Sequence, residues 1–407
     1  TGNTEGDKPT VSVGDATATE GGDLVHQVTV EGDTQADVTY EFSLTPSGSN
    51  PATEGTGNDY LNNPVFSNPN IVYDPVAGTI TVPAGVTDFT VTYPTLTDNI
   101  LENDETTTLT IDNDSGTGTI KDAGDAIPEV SIAATIPQAT EGAGDAIVFT
   151  VSQTGATDKD STVTVKLDLP GGIGGAVAAD IDTIVLTNSD GSTQSISVAD
   201  AINGVSVTIP TGATSNPTFT ITPKQDAIYE VSEDFSMSIS NPVNATVGTA
   251  SATGTILDEA DPSGPTGNTE GDRPTVSIAA TKDTAIEGVD NTLEFSISQD
   301  NLSTVATTVK VALNAAGSDI EAADLASIVY TNEMGVEITL STQTQIQDFL
   351  DNGASVLIPA GQNTAPVITI TVTDDAIYER SEDLVLDITG ATNATIGTDS
   401  ATGTILD

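Results

Sequence analysis

The chain has no cysteine, no tryptophan, one histidine, and 9 lysines and arginines in 407 residues. Without cysteine, neither disulfides nor thiolate metal sites can hold it together. Without tryptophan and with few other aromatics, each core must be built from Val, Ile, Leu and a few Phe. The scarcity of cations stands against 60 acidic side chains and a formal charge of −51. Phosphate recognition needs clustered Lys and Arg, so nucleic acid is excluded as a partner. Anionic membrane surfaces are disfavoured for the same reason. No apolar run approaches a membrane span, so direct insertion by a helix is not expected. No leader pattern opens the sequence, which begins mid-pattern and reads as an excised piece of a longer chain.

What is present is alternation. Val, Ile and Thr recur with period two between closely spaced turn signals, which is the pattern of all-β domains and not of a disordered acidic segment. Length suggests two to four domains, and internal repetition resolves three: about Lys8 to Asp122, Pro128 to Asp258 and Arg273 to Asp407. With their linkers these give domains 1–122, 123–265 and 266–407. Each opens on a short strand: Thr10-Val11-Ser12-Val13, Glu129-Val130-Ser131-Ile132 and Thr275-Val276-Ser277-Ile278. Each continues through a turn ending in Glu-Gly (Glu20-Gly21, Glu141-Gly142, Glu287-Gly288) and closes on Gly-Thr-Ile-x-Asp at Asp122, Asp258 and Asp407. A period above one hundred residues means tandem domains and not a solenoid.

Apolar residues fall on one face of each strand, as at Leu109 and Ile111, Phe235, Met237 and Ile239, and Leu384, Leu386 and Ile388. That predicts two sheets packed face to face in an immunoglobulin-like β-sandwich. Thr342 to Asn352 departs from the pattern, with Ile346, Phe349 and Leu350 at helical spacing. It reads as a helical insertion in the third unit, with Val198 to Asn203 its shorter counterpart in the second.

The densest acidic stretch is Thr373-Asp374-Asp375-Ala376-Ile377-Tyr378-Glu379-Arg380-Ser381-Glu382-Asp383, between two alternating strands. Its core, Asp-x-Ile-x-Glu-x-x-Glu, recurs from Asp226 to Glu233 and from Asp98 to Glu105. Unit charges about 4 Å apart repel by roughly 1 kcal/mol even in water. With so few Lys and Arg, a metal ion is the economical counter-charge. Calcium takes six to eight oxygens, more than one loop usually supplies. Acids recur at three further places per unit: the turn Glu, a middle Asp (Asp59, Asp180, Asp324) and the final Asp. Loops at one end of a sandwich converge, so these positions can form one polycarboxylate cup. Linker acids Asp125, Glu259 and Asp261 are candidates for a junctional site.

The ordered elements, Glu-Gly turn, Gly57-Asn58-Asp59-Tyr60, the acidic hairpin and Gly-Thr-Ile-x-Asp, resemble the Calx-beta domain in three copies covering nearly the whole chain. The resemblance implies calcium ligands Glu20, Asp59, Asp98, Glu102, Glu105 and Asp122 in the first unit. In the second it implies Glu141, Asp180, Asp226, Glu230, Glu233 and Asp258. In the third it implies Glu287, Asp324, Asp374, Asp375, Glu379, Glu382 and Asp407, with the carbonyl of Ile377. Thr97 and Gln225 stand where the third unit has Asp374, which predicts fewer ions in the first two. The third cup, with the chain ending at Asp407, is expected to lack ligands that would follow. The arrangement is also similar to the tandem domains of large bacterial RTX adhesins, which implies a secreted, cell-surface fibre stiffened by calcium and used in attachment or biofilm formation.

No Gly-x-Ser-x-Gly, His-Glu-x-x-His or phosphate-loop motif occurs. His26 sits in an alternating strand and reads as an ordinary strand residue. Tyr229 and Tyr378 read as packing residues of their hairpins. The chain is expected not to be an enzyme and to take calcium alone as cofactor. The expected role is a calcium-rigidified extender, whose partners are the neighbouring domains of the same chain. The rival is a calcium-dependent module binding a peptide or glycan on a host or microbial surface. A surface-layer protein or a calcium sensor is a third reading.

Overall fold

A computed structural model describes residues 8–258 and 272–407. It consists of three β-sandwiches in sequence, each with its own apolar core. In the second, one sheet has the order Thr193–Ile196, Ile181–Thr187, Thr218–Pro223, Ile147–Thr154, Glu129–Ile136, Thr246–Val247. The facing sheet runs Gln138–Thr140, Ser251–Leu257, Glu233–Val243, Ser161–Asp168, Val205–Ile209. The third repeats both sheets strand for strand. The first has the same frame, with the hairpin Val72–Asp74 and Thr79–Val82 on one edge.

The expected alternation is what closes these sandwiches. Leu109 and Ile111, Phe235, Met237 and Ile239, and Leu384, Leu386 and Ile388 are all buried. Val385 breaks the rule: it is buried on the opposite face of its strand. The segment around Gly317 covers it, since a Cβ at Gly317 would stand 3.2 Å from Val385, and the Asn314 N–H donates to the Val385 carbonyl (2.9 Å).

The helical insertions lie at Val198–Asn203 and Gln343–Asn352. Ser197 caps the first and Thr342 the second, each hydroxyl accepting from a backbone N–H of the first turn. Ile346, Phe349 and Leu350 turn inward from the longer helix onto the third core. Among the described residues no helix is long and apolar enough to cross a membrane.

Two features of the topology gather the acids. First, the opening segment of each unit changes sheets and then runs parallel to the last strand. Gly118 pairs with Ala16, Thr255 with Gln138, and Thr404 with Thr284. This register sets the turn glutamate beside the last strand's end: the Glu20 N–H donates to Lys121 O (2.9 Å), Glu141 to Leu257 (2.9 Å) and Glu287 to Leu406 (3.0 Å). Second, the hairpin tip of one sandwich pairs with the next sandwich. Ile100–Leu101 runs parallel to Ala156–Thr157, and Ile228–Tyr229 runs parallel to Leu302–Ser303.

Candidate metal centre

The three recurring aspartates of each cup are each held by a backbone N–H that occupies one carboxylate oxygen. The first Asp of the hairpin core closes an Asx turn: Ile100 N–H donates to Asp98 Oδ1 (2.7 Å), Ile228 to Asp226 (2.9 Å) and Ile377 to Asp375 (2.6 Å). The final Asp then receives the N–H of the first hairpin Glu. Glu102 donates to Asp122 Oδ2 (2.8 Å), Glu230 to Asp258 (3.0 Å) and Glu379 to Asp407 (3.2 Å).

The middle Asp is tied twice. Its Oδ2 accepts the N–H of Thr53, Val177 or Glu321 in the respective units. Its carbonyl accepts from the residue entering the hairpin, Leu96 (2.9 Å), Lys224 (2.8 Å) or Thr373 (2.8 Å). In the second and third units a 3-10 turn, Ala178–Asp180 and Ala322–Asp324, delivers it. The periodicity of the sequence gave no sign of those turns.

The Glu-Gly turns require glycine for a local reason. Gly21, Gly142 and Gly288 all have φ near +70°, a region open to glycine at no steric cost. A Cβ there would also strike Thr97 or Gln225 in the first two units and press against Asp374 (3.1 Å) in the third. Thus Asp374 lies against the turn, with neutral Gln225 and Thr97 filling the same place in the other units.

Oxygens from several loops meet. Carboxylate oxygens of Glu20, Glu102 and Glu105 lie within 4.8 Å of one another, as do those of Glu20, Asp98 and Asp125. The second unit brings together Asp180, Glu230 and Glu233, and the third Asp324, Glu379 and Glu382. Asp59, Asp122, Glu141, Asp226, Asp258, Glu287, Asp374, Asp375 and Asp407 stand outside those close groups. Of these, Asp122, Asp258 and Asp407 join them through the hydrogen bonds above. Ile377 is 63% exposed. Glu259 and Asp261 lie outside the described residues.

Crowding and burial oppose ionisation. Desolvation, reinforced by neighbouring carboxylates, pushes Glu102 and Glu105 up to about 8, Glu230 to about 7, Glu233 to about 9 and Glu382 to about 7. Asp122 goes the other way: burial is outweighed by the N–H groups of Glu102, Asp125 and Gly124 and by Lys159. Buried oxygens of Glu20, Glu105 and Glu233 have no protein hydrogen-bond partner. Acceptors left buried without donors cost free energy, and a cation satisfies both deficits. The donors are hard carboxylate oxygens with no nitrogen or sulfur among them, a set that suits calcium or magnesium and not zinc or copper.

Outside the cups, His26 is buried with Nδ1 2.9 Å from Gly14 O, a core-facing strand residue. The two hairpin tyrosines differ. Tyr229 is 2% exposed, whereas Tyr378 is 90% exposed and does not pack its hairpin as expected.

Tandem immunoglobulin-like sandwiches with a carboxylate cup at one end define a class of all-β, non-enzymatic module. The chain belongs to the Calx-beta domain family: that family's model matches residues 69–138, 124–260 and 336–407, more than half of the sequence. Calcium binding is the property that this family implies in general. No curated protein matches the sequence. Among solved structures, the chain is similar to CBD12 from CALX1.2 (12% identity, 65% of this chain and 81% of that one, TM-score 0.24). It is also similar to the titin I-band fragment I67-I69 (10% identity, 98% and 96%, TM-score 0.24). A third is InvD of Yersinia pseudotuberculosis (11% identity, 97% and 96%, TM-score 0.24).

Proposed function

We propose that this chain is a calcium-rigidified extender of a secreted, cell-surface adhesin of the RTX type, serving attachment or biofilm formation. One observation carries the reading. The two hairpin glutamates gather with a further carboxylate in all three sandwiches, and in the first two the cup's own hairpin also pairs with the following sandwich. A divalent ion in the cup would cross-link the turn, the middle loop, the hairpin and the last strand. It would thereby fix the hairpin on which the next sandwich rests. Because the unfolded chain offers no such cup, binding energy adds to folding energy. Asp59, Asp122, Asp180 and the other acids named above are assigned to these cups, and Asp125 to the first junction.

Small-angle scattering with calcium and then with chelator tests the reading. A longer, stiffer particle in calcium, with a higher melting temperature, is the expected result. Unchanged shape and melting would reduce the acids to a solvated surface. A recognition role has one feature in its favour, a groove of about 550 Å³ between helix Gln343–Asn352 and the Ala322–Asp324 turn, lined by Leu313, Ile320, Leu350 and Asp351. Calcium-dependent binding on glycan or peptide arrays would support it.

A further inference from the structure

The two junctions share a backbone geometry but not a side chain. At the first, Asp158 follows the paired Ala156–Thr157, and its N–H donates to the Leu101 carbonyl (3.1 Å). At the second, Thr304 holds the same place, with its N–H on the Tyr229 carbonyl (3.0 Å) and its hydroxyl on the same oxygen (3.4 Å). Asp158 instead turns a carboxylate toward the first hairpin. Its Oδ2 accepts from both Asn103 N and Asn103 Nδ2 (3.3 Å each), one residue beyond Glu102. Its Oδ1 is buried and has no protein donor.

The group it approaches is itself incomplete. Glu20 and Glu105 are each 7% exposed, and each has a buried Oε2 without a partner, within the trio whose oxygens lie inside 4.8 Å. Asp158 stands near enough to both Glu105 and Asp59 for its charge to reach them. A carboxylate from a different sandwich is thus held against the first hairpin, outside the close trio but beside acids that lack a counter-charge. Carboxylates gathered this way stay ionised only around a cation and otherwise take up protons.

We propose that Asp158 supplies a carboxylate oxygen to the calcium site of the first sandwich, so that one ion is bound by two sandwiches at once. The second junction, with Thr304, has no such bond. The inference rests on the calcium reading above and adds to it a difference between junctions: the first is locked by the ion, and the second is held by strand pairing, the Thr304 hydroxyl and the buried Tyr229, without one.

The test is hydrogen exchange on the full chain, titrated with calcium and compared with chelator, for wild type, Asp158→Asn and Thr304→Asp. Asparagine retains the shape and an oxygen for Asn103, so a purely structural role would survive the change. The expected result is calcium-induced protection over both 98–105 and 156–160 in wild type. Asp158→Asn should need roughly tenfold more calcium for the first segment and should lose the response of the second. Thr304→Asp should confer a calcium response on 302–305 that wild type lacks. Equal calcium midpoints for wild type and Asp158→Asn, with 156–160 still responding, would overturn the cross-junction ligand while leaving the calcium reading intact. No calcium response anywhere in wild type would overturn both.

Discussion

The second and third cups have their acids at matching positions, yet they differ in burial. Asp180, Glu230, Glu233 and Asp258 are buried, whereas Asp324, Glu379 and Glu382 are only partly so and Asp407 is exposed. The hairpin tip changes most, from 2% exposed at Tyr229 to 90% at Tyr378. The cause is next to the second cup: Leu302–Ser303 of the following sandwich pairs with Ile228–Tyr229, and among the described residues no strand pairs with Ile377–Tyr378. The more buried cup also has the higher proton affinity, with Glu233 at about 9 and its counterpart Glu382 at about 7. A cup's chemistry is therefore set partly by the sandwich that follows it.

Removing calcium should break the comparison most severely. At a hundredfold excess over Kd, each occupied site adds about 2.7 kcal/mol, worth about 5–10 °C in Tm for a domain of this size. Chelation should therefore lower the calorimetric transitions of all three sandwiches. Hydrogen exchange should show hairpin 98–105 losing protection together with the neighbouring 156–158, and hairpin 226–233 losing it while 302–304 does not. The third hairpin should likewise open alone.

The next largest effect separates the two tyrosines. Tyr229→Ala removes a fully buried aromatic at the second junction and should cost about 3–5 kcal/mol, read as a lower denaturant midpoint and faster exchange at 302–304. Tyr378→Ala removes an exposed ring and should stay within about 0.5 kcal/mol. Equal costs would mean that the following sandwich is not what distinguishes the cups.

Much of this was legible in the sequence because the chain repeats itself. Period-two alternation located the sheets, helical spacing located Gln343–Asn352, and recurrence marked Asp180, Glu230 and Glu233 before any coordinates. Residues that do not repeat stayed hidden. Asp158 has Thr304 at its counterpart, so recurrence filtered it out, although the structure places it against the first hairpin. Pairing between sandwiches was invisible for another reason: Ile100–Leu101 and Ile228–Tyr229 are two-residue strands, too short for any periodicity. Tyr378 was misjudged because sequence position alone does not reveal whether a neighbour is present to bury it.

The smallest effect is a difference in pH dependence between the calcium-free cups. Unfolded glutamates titrate near 4.3, but folded Glu230 and Glu233 keep their protons to about 7 and about 9. Between those limits the native state binds more protons than the unfolded one, so its stability falls as pH rises. The calcium-free second sandwich should thus be most stable below about pH 4 and should keep losing stability up to about pH 9. The third, governed by Glu382, should level off near pH 7. Calcium replaces those protons and should flatten both curves. Glu233→Gln should likewise remove most of the second sandwich's slope in chelator, and with it the stabilisation by calcium, whereas Glu382→Gln should remove the third's slope between about pH 4 and pH 7. Urea midpoints followed by segment-resolved exchange across this range measure the two profiles separately. Coincident profiles would show that burial by the following sandwich does not tune the cup.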